Sequence, residues 1–80
     1  MKLAYILNAV DKQSEAQQLG IYTTVNNAIN GALEYTKLMD KDTLTEEDKD
    51  NLSKNFVTMD REEENYLIQE VPMNQLFEEI

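Results

Sequence analysis

The segment Lys2 to Val10 would be apolar on both of the faces that a β-strand presents, because successive side chains of an extended chain point to opposite sides. The two alternating sets are Leu3, Tyr5 and Leu7 on one face, and Ala4, Ile6, Asn8 and Val10 on the other. Such a strand is typical of the middle of a sheet that is covered on both sides, or covered by a helix on one side and by a second subunit on the other.

The chain is short for a domain that must cover such a strand. Its 80 residues suffice for one hydrophobic core, so we expect a single domain over residues 1–80. Domains of this size often add a disulfide, a metal or a partner subunit to reach adequate stability. The sequence has neither cysteine nor histidine, which excludes disulfides and thiolate or imidazole metal ligands. A partner subunit, such as a second copy in a homodimer, is the remaining means.

The residues after the first strand predict a hairpin and then a helix. Asp11 to Gln18 is polar and typical of a turn, while Leu19 to Thr23 has the composition of a second strand, in which Gly20 indicates a bulge or a close backbone approach. A set of mostly apolar residues then recurs at helical spacing: Val25, Ala28, Ile29, Ala32, Leu33, Thr36 and Met39.

An alternative for this last segment is a hairpin turn at Asn30-Gly31, a pair that favours type I′ geometry. We expect the helix, because the flanking residues keep a 3.6-residue period and a glycine inside a helix costs only about 1 kcal/mol. Thr23 and Thr24 precede it as candidate N-caps.

The second half of the chain predicts a shorter helix and a further strand. Thr45 to Asp48 resembles a capping box with Asp at N3, so a helix should begin there and end near Asn55. Phe56 to Met59 fits a short strand or a turn, and Tyr66 to Val71 fits a strand that Pro72 stops. A short amphipathic helix, partly buried against the sheet or a second subunit, is predicted at the end from Met73, Leu76, Phe77 and Ile80.

The predicted order is therefore β-β-α-α-(β)-β with a short C-terminal helix. We expect an α+β fold with a small antiparallel sheet of about three to four strands and the main helix packed on one face.

The first 35 or so residues resemble small bacterial and phage domains of unknown function. Those domains pair a strand of the K-x-Y-x-L kind with a strand G-x-Y-x-[ST] and a helix carrying A-x-x-x-A. Lys2 and Tyr5 depart from that spacing by one residue, whereas the rest of the pattern is present in Gly20, Tyr22, Thr24, Ala28 and Ala32. The resemblance implies a fold and no activity, and it assigns no functional residue.

Charge is distributed very unevenly along the chain. Residues 1–39 carry three acidic and three basic side chains, whereas residues 40–80 carry 13 acidic and four basic ones and so account for the whole net charge of −9. This field disfavours direct binding to nucleic acid or to an anionic membrane. The longest apolar stretch near the start, Leu3 to Leu7, is too short for a signal or membrane-spanning segment, so we expect a cytoplasmic protein.

The sequence also lacks the residues that most enzyme classes require. A nucleophilic triad needs a base beside Ser or Cys, and only Ser14 and Ser53 are present. Gly20 and Gly31 are the only glycines, so no phosphate-binding loop exists. We therefore expect no enzymatic activity and no cofactor.

The stretch Asp40 to Asn51 begins like a calcium-binding loop but departs from it at critical positions. Leu44 stands where an oxygen ligand is expected, Thr45 where glycine allows the turn, and Asn51 where a bidentate glutamate is needed. We therefore expect that folding requires no stoichiometric metal.

Two hypotheses for function remain. In the first, the acidic clusters bind a basic protein surface, and in the sharpest form of this hypothesis they imitate nucleic acid and inhibit a nucleic-acid-binding host defence enzyme, as small acidic phage proteins do. The expected contacts are Glu46, Glu47, Asp50, Glu62, Glu63 and Glu64. In the second, the acidity serves only solubility, and the chain is a self-associating structural or accessory domain that dimerises through an apolar sheet face or its tail.

Overall fold

A computed structural model, which describes residues 2–73, contains an antiparallel three-stranded sheet and two helices. In chain order the elements are β1 (Leu3–Asp11), β2 (Ala16–Tyr22), α1 (Val25–Leu38), α2 (Glu46–Asn55) and β3 (Glu64–Pro72). The α+β class is as predicted. The bracketed strand is reduced to an isolated bridge between Val57 and Leu67, and the predicted C-terminal helix lies outside the described residues except for Met73.

The strand order is β2-β1-β3, so β1 is the central strand, as its two apolar faces predict. Leu7 and Ala9 lie on the face covered by the helices, and Tyr66 and Ile68 of β3 lie beside them on the same face. The buried core is completed by residues of the helices and of the loop before α2: Ala28, Ile29, Ala32, Leu44 and Leu52.

β2 begins three residues earlier than the sequence predicts. The turn before it is tight, because the Asp11 side chain accepts hydrogen bonds from the backbone N–H groups of Gln13 and Glu15, at 2.9 and 3.0 Å. Ala16 and the two following glutamines then pair with β1. All three residues are exposed, so they join the sheet through backbone pairing and need no apolar pattern.

The bulge that Gly20 indicates is present in β2. Leu7 pairs with Gly20 and Asn8 with Gln18, so Leu19 is the extra residue. Its side chain packs against the core on the helix-covered side of the sheet.

Helix α1 is continuous through Asn30-Gly31, as the 3.6-residue period predicts. Thr24 is its N-cap, and the Thr24 hydroxyl accepts from the Asn27 N–H at 3.0 Å. Gly31 serves packing: a Cβ atom at this position would lie 2.1 Å from the Tyr22 hydroxyl oxygen, and one at Gly20 would lie 2.8 Å from it. Both glycines of the chain therefore make room for the same ring.

The segment after α2 covers the outer edge of β3. Helix α2 ends at Phe56, which adopts a left-handed conformation with φ 63°. The Ile68 N–H then donates to the Phe56 carbonyl at 2.8 Å, and the Thr58 N–H donates to the Tyr66 carbonyl at 3.0 Å. These bonds satisfy backbone groups that an edge strand would otherwise expose.

Neither helix covers the other face of the sheet. The pairing register places 11 residues there, none of them charged: Ala4, Ile6, Asn8, Val10, Ala16, Gln18, Ile21, Asn65, Leu67, Gln69 and Val71. Ile21 is 50% exposed and Leu67 is 38% exposed. Within residues 2–73, no helix has the length and apolar content needed to cross a membrane.

Candidate functional site

An acidic cleft of about 590 Å³ lies between the start of α2 and the loop that leads into β3. Three separate segments contribute to its walls: the loop before α2, the first turns of α2, and the residues before β3. The acidic side chains that line it are Asp42, Glu47, Asp48, Asp60, Glu62 and Glu63.

The capping box fixes the wall formed by α2. The Thr45 hydroxyl accepts from the Asp48 N–H at 3.0 Å, and the Asp48 carboxylate accepts from the Thr45 N–H at 3.0 Å, as the sequence predicts. Glu46, Glu47 and Asp48 occupy the first turn, where the positive end of the helix dipole favours negative charge. This arrangement holds Glu47 at the cleft with a defined backbone position.

Arg61 joins the three segments. Its guanidinium forms an ion pair with Asp48, and both side chains are about nine-tenths buried. It also donates to the carbonyl of Asp42 at 2.7 Å and of Thr43 at 3.4 Å, while Nε donates to the Glu64 carbonyl at 3.1 Å. Its planar group lies 5.4 Å from the centre of the Tyr66 ring. One cation therefore positions every wall of the acidic cleft.

The loop before β3 is ordered by Thr58 and Asn65. The Thr58 hydroxyl donates to the Asn65 side-chain oxygen at 2.9 Å, and that oxygen also accepts from the Arg61 N–H at 3.3 Å. The Tyr66 N–H donates to the Thr58 hydroxyl at 2.9 Å. Asp60 takes a left-handed conformation with φ 59°, which turns the chain back toward β3. Glu62 and Glu63 thus extend from a loop that is hydrogen-bonded at both ends.

Most of the carboxylates of the cleft have no compensating charge. Asp48 is neutralised by Arg61, but Asp42, Glu47, Asp60, Glu62 and Glu63 are exposed. Within residues 2–73, none of these five carboxylates lies within 4.0 Å of a lysine or arginine nitrogen. The result is a concentrated negative field on a preorganised frame.

The structure divides the six predicted contact residues into three groups. Glu47, Glu62 and Glu63 meet at the cleft. Glu46 and Asp50 line a separate depression beside α1 and form ion pairs on α2, Glu46 with Lys49 at 2.8 Å and Asp50 with Lys54 at 3.3 Å.

Glu64 forms the third group, because its side chain is only 11% exposed. Its carboxylate accepts from the Tyr66 hydroxyl at 2.9 Å and lies 3.7 Å from the Lys41 ammonium group. Burial raises the pKa of the Tyr66 hydroxyl well above its ordinary value, and the hydrogen bond to Glu64 acts in the same direction. The Glu64 side chain is therefore bound within the fold and is not an exposed contact residue.

Sequence reasoning missed Asp42 and Asp60 at the rim and Arg61 beneath it. A signal for Arg61 was available, since it is the only basic residue after Lys54 and stands inside an acidic run. In the sequence, Asp42 belongs to the stretch that departs from a calcium-binding loop, and nothing there indicates a cleft. In the part of the chain that the structure describes, no group of three or more histidine, cysteine or acidic side chains is arranged to hold a metal ion.

Comparison with known proteins gives no relative for this chain. No protein-family model, no curated protein and no solved structure matches it.

Proposed function

We propose that the protein is a non-enzymatic interaction protein that binds a basic protein surface through the acidic cleft. The observation that supports this most is the convergence of five exposed, uncompensated carboxylates from three chain segments on one cleft: Asp42, Glu47, Asp60, Glu62 and Glu63. A charge needed only for solubility could be spread over the domain, as Asp11, Glu15 and Glu34 are.

The architecture of the cleft suits recognition, because its walls are already ordered. The three hydrogen bonds of the Arg61 guanidinium to backbone carbonyls and its ion pair with Asp48 fix the three segments, so a partner would not have to order them on binding. Arginine is the side chain that best matches such a site, since its planar guanidinium can engage two carboxylates with several donors. We therefore expect the partner to insert one or more arginines between the α2 wall and the 60–63 loop.

The sharper form of this proposal is that the cleft imitates nucleic acid and blocks a nucleic-acid-binding enzyme. Its support is the same field, since a basic groove that attracts phosphates will also attract closely spaced carboxylates. This form of the proposal also requires that the protein and nucleic acid compete for one surface of the partner.

Affinity capture from the source organism with three baits tests the proposal. The first bait is the wild type, and the second carries Glu47→Gln, Glu62→Gln and Glu63→Gln in the cleft. The third carries Glu15→Gln, Glu46→Gln and Asp50→Asn, which lie outside the cleft but change the net charge by the same amount. We expect a basic protein that the first and third baits retain and the second loses.

Two other outcomes would count against the proposal. If the second and third baits lose the same proteins equally, only total charge matters and the cleft has no special role. If no bait retains a basic protein, the acidity serves solubility. Adding excess nucleic acid to the captured complex then tests the mimicry, because only a competitor for the same surface is displaced.

A further inference from the structure

The two edges of the sheet differ in whether other residues cover them. The outer edge of β3 is covered by the segment that follows α2, through backbone hydrogen bonds from Thr58 and Ile68. Within residues 2–73, no backbone hydrogen bond outside the sheet involves β2. Every second residue of an edge strand directs its N–H and C=O groups away from the sheet, so β2 presents a pairing surface that none of the described residues uses.

The edge of β2 also lacks most of the features that prevent pairing with another strand. Proteins block exposed edges with lysine, proline, other charges, bulges or covering segments. Of these, β2 has only the bulge at Leu19 in the part of the chain that the structure describes. No charged residue occurs from Ala16 to Leu33, a run that includes all of β2 and the first half of α1.

An apolar groove of about 510 Å³ lies beside this edge, where α1 packs against β2. Its walls include Leu19, Tyr22, Tyr35 and Leu38, together with one acidic side chain, Glu34. Leu38 is 80% exposed, and the next residue, Met39, is 55% exposed. A soluble domain rarely leaves large apolar side chains next to an open strand edge unless another surface covers them.

We propose that the occupant of this surface is a second copy of the chain, with β2 pairing antiparallel to β2 of the partner and the two α1 grooves packing against each other. The charge distribution selects this occupant. Two molecules that each carry a net charge of −9 repel one another, and they can approach closely only where acidic residues are few. β2 itself carries no charged residue, and Glu34 is the only acidic side chain that lines the groove beside it, whereas a basic partner would be drawn to the cleft.

A two-fold axis through the β2 edge satisfies the same groups on both copies, as an isologous interface requires. The open backbone groups of one strand bond to those of the other, and the exposed Leu38 side chains enter an apolar environment. The acidic cleft is formed by other elements and takes no part in the contact. The dimer would therefore offer two copies of the cleft to a partner.

Sedimentation velocity over a concentration series, at low and high salt, tests the dimer. We expect a reversible monomer–dimer equilibrium that shifts toward dimer as salt rises, because salt screens the repulsion between the acidic copies. Binding of a basic partner at the cleft should respond to salt in the opposite direction. A protein that stays monomeric at every concentration and salt level would overturn the proposal.

Three single substitutions then locate the interface: Leu38→Glu beside the β2 edge, Leu67→Glu on the uncovered sheet face, and Met59→Glu at the acidic cleft. Each places a glutamate at an exposed large apolar residue and changes the net charge equally. Leu38→Glu should weaken dimerisation by at least about tenfold, which corresponds to about 1.4 kcal/mol, while the other two should leave it nearly unchanged. A loss with Leu67→Glu that equals or exceeds the loss with Leu38→Glu would instead assign the dimer to the sheet face.

Discussion

Replacing Arg61 by methionine separates two effects in the acidic cleft: the positions of the carboxylates and the total charge. The substitution makes the protein more negative, so a simple charge count predicts tighter binding to a basic partner. The structure predicts the reverse, because Arg61 fixes all three walls through Asp48 and the carbonyls of Asp42, Thr43 and Glu64. Without it, the carboxylates are no longer held together.

The expected loss of stability is large. Methionine fills a similar volume but leaves the buried Asp48 carboxylate without its counter-charge, and breaking a buried pair in this way costs about 3–5 kcal/mol. A domain of 80 residues has a total free energy of unfolding of roughly 4–12 kcal/mol. The Arg61→Met variant should therefore be marginally stable. Arg61→Lys keeps the charge but not the planar fork, and should lose about 2 kcal/mol.

Urea denaturation followed by circular dichroism measures these free energies. Asp48→Asn in the Arg61→Met background is the matched control, because asparagine keeps an oxygen for the Thr45 cap and removes the buried charge. We expect the double variant to recover a substantial part of the loss. The reasoning is refuted if Arg61→Met is as stable as the wild type, or if the folded variant binds a basic partner more tightly.

Three further predictions concern stability. Gly31→Ala should destabilise the fold by about 1–3 kcal/mol through its clash with Tyr22, yet stabilise it by about 1 kcal/mol in a Tyr22→Ala background. Denaturant titration of the wild type, the two single variants and the double variant checks the change of sign. The pKa of the Tyr66 hydroxyl is raised in the folded state, so this group ionises first in the unfolded state and the free energy of unfolding should fall as pH rises above 10. The melting temperature should fall less steeply over this pH range for Tyr66→Phe than for the wild type. Deleting residues 73–80 should lower the melting temperature by several degrees if their apolar stripe is buried; an unchanged melting curve and elution volume would contradict this.

Features that depend on local pattern could be predicted from the sequence. The two apolar faces of β1 indicate its central position in the sheet. The 3.6-residue spacing of apolar residues around Asn30-Gly31 indicates a helix and outweighs the local preference of that pair for a turn. Thr45 and Asp48 form the expected capping box because its bonds involve only residues three apart. In each case the determining interactions lie within one element or its immediate neighbours.

Features that depend on long-range contacts could not be predicted. The sequence predicts the start of β2 three residues late, because an exposed edge strand needs no apolar alternation and Gln17 and Gln18 have the composition of a turn. Glu62, Glu63 and Glu64 are equivalent in sequence, but only Glu64 is withdrawn from solvent, because Lys41 and the Tyr66 hydroxyl lie beside it. No local pattern distinguishes the three.

The most direct test of the central claim is the association rate of the captured partner, measured by stopped flow across a range of salt concentrations. The wild type is compared with the variant that carries the three cleft substitutions and with the matched variant that carries Glu15→Gln, Glu46→Gln and Asp50→Asn. If the cleft is the contact, the rate for the wild type and the matched variant falls steeply with salt, while the cleft variant is slow and nearly insensitive to it. The claim is contradicted if the cleft variant associates as fast as the matched variant at every salt concentration.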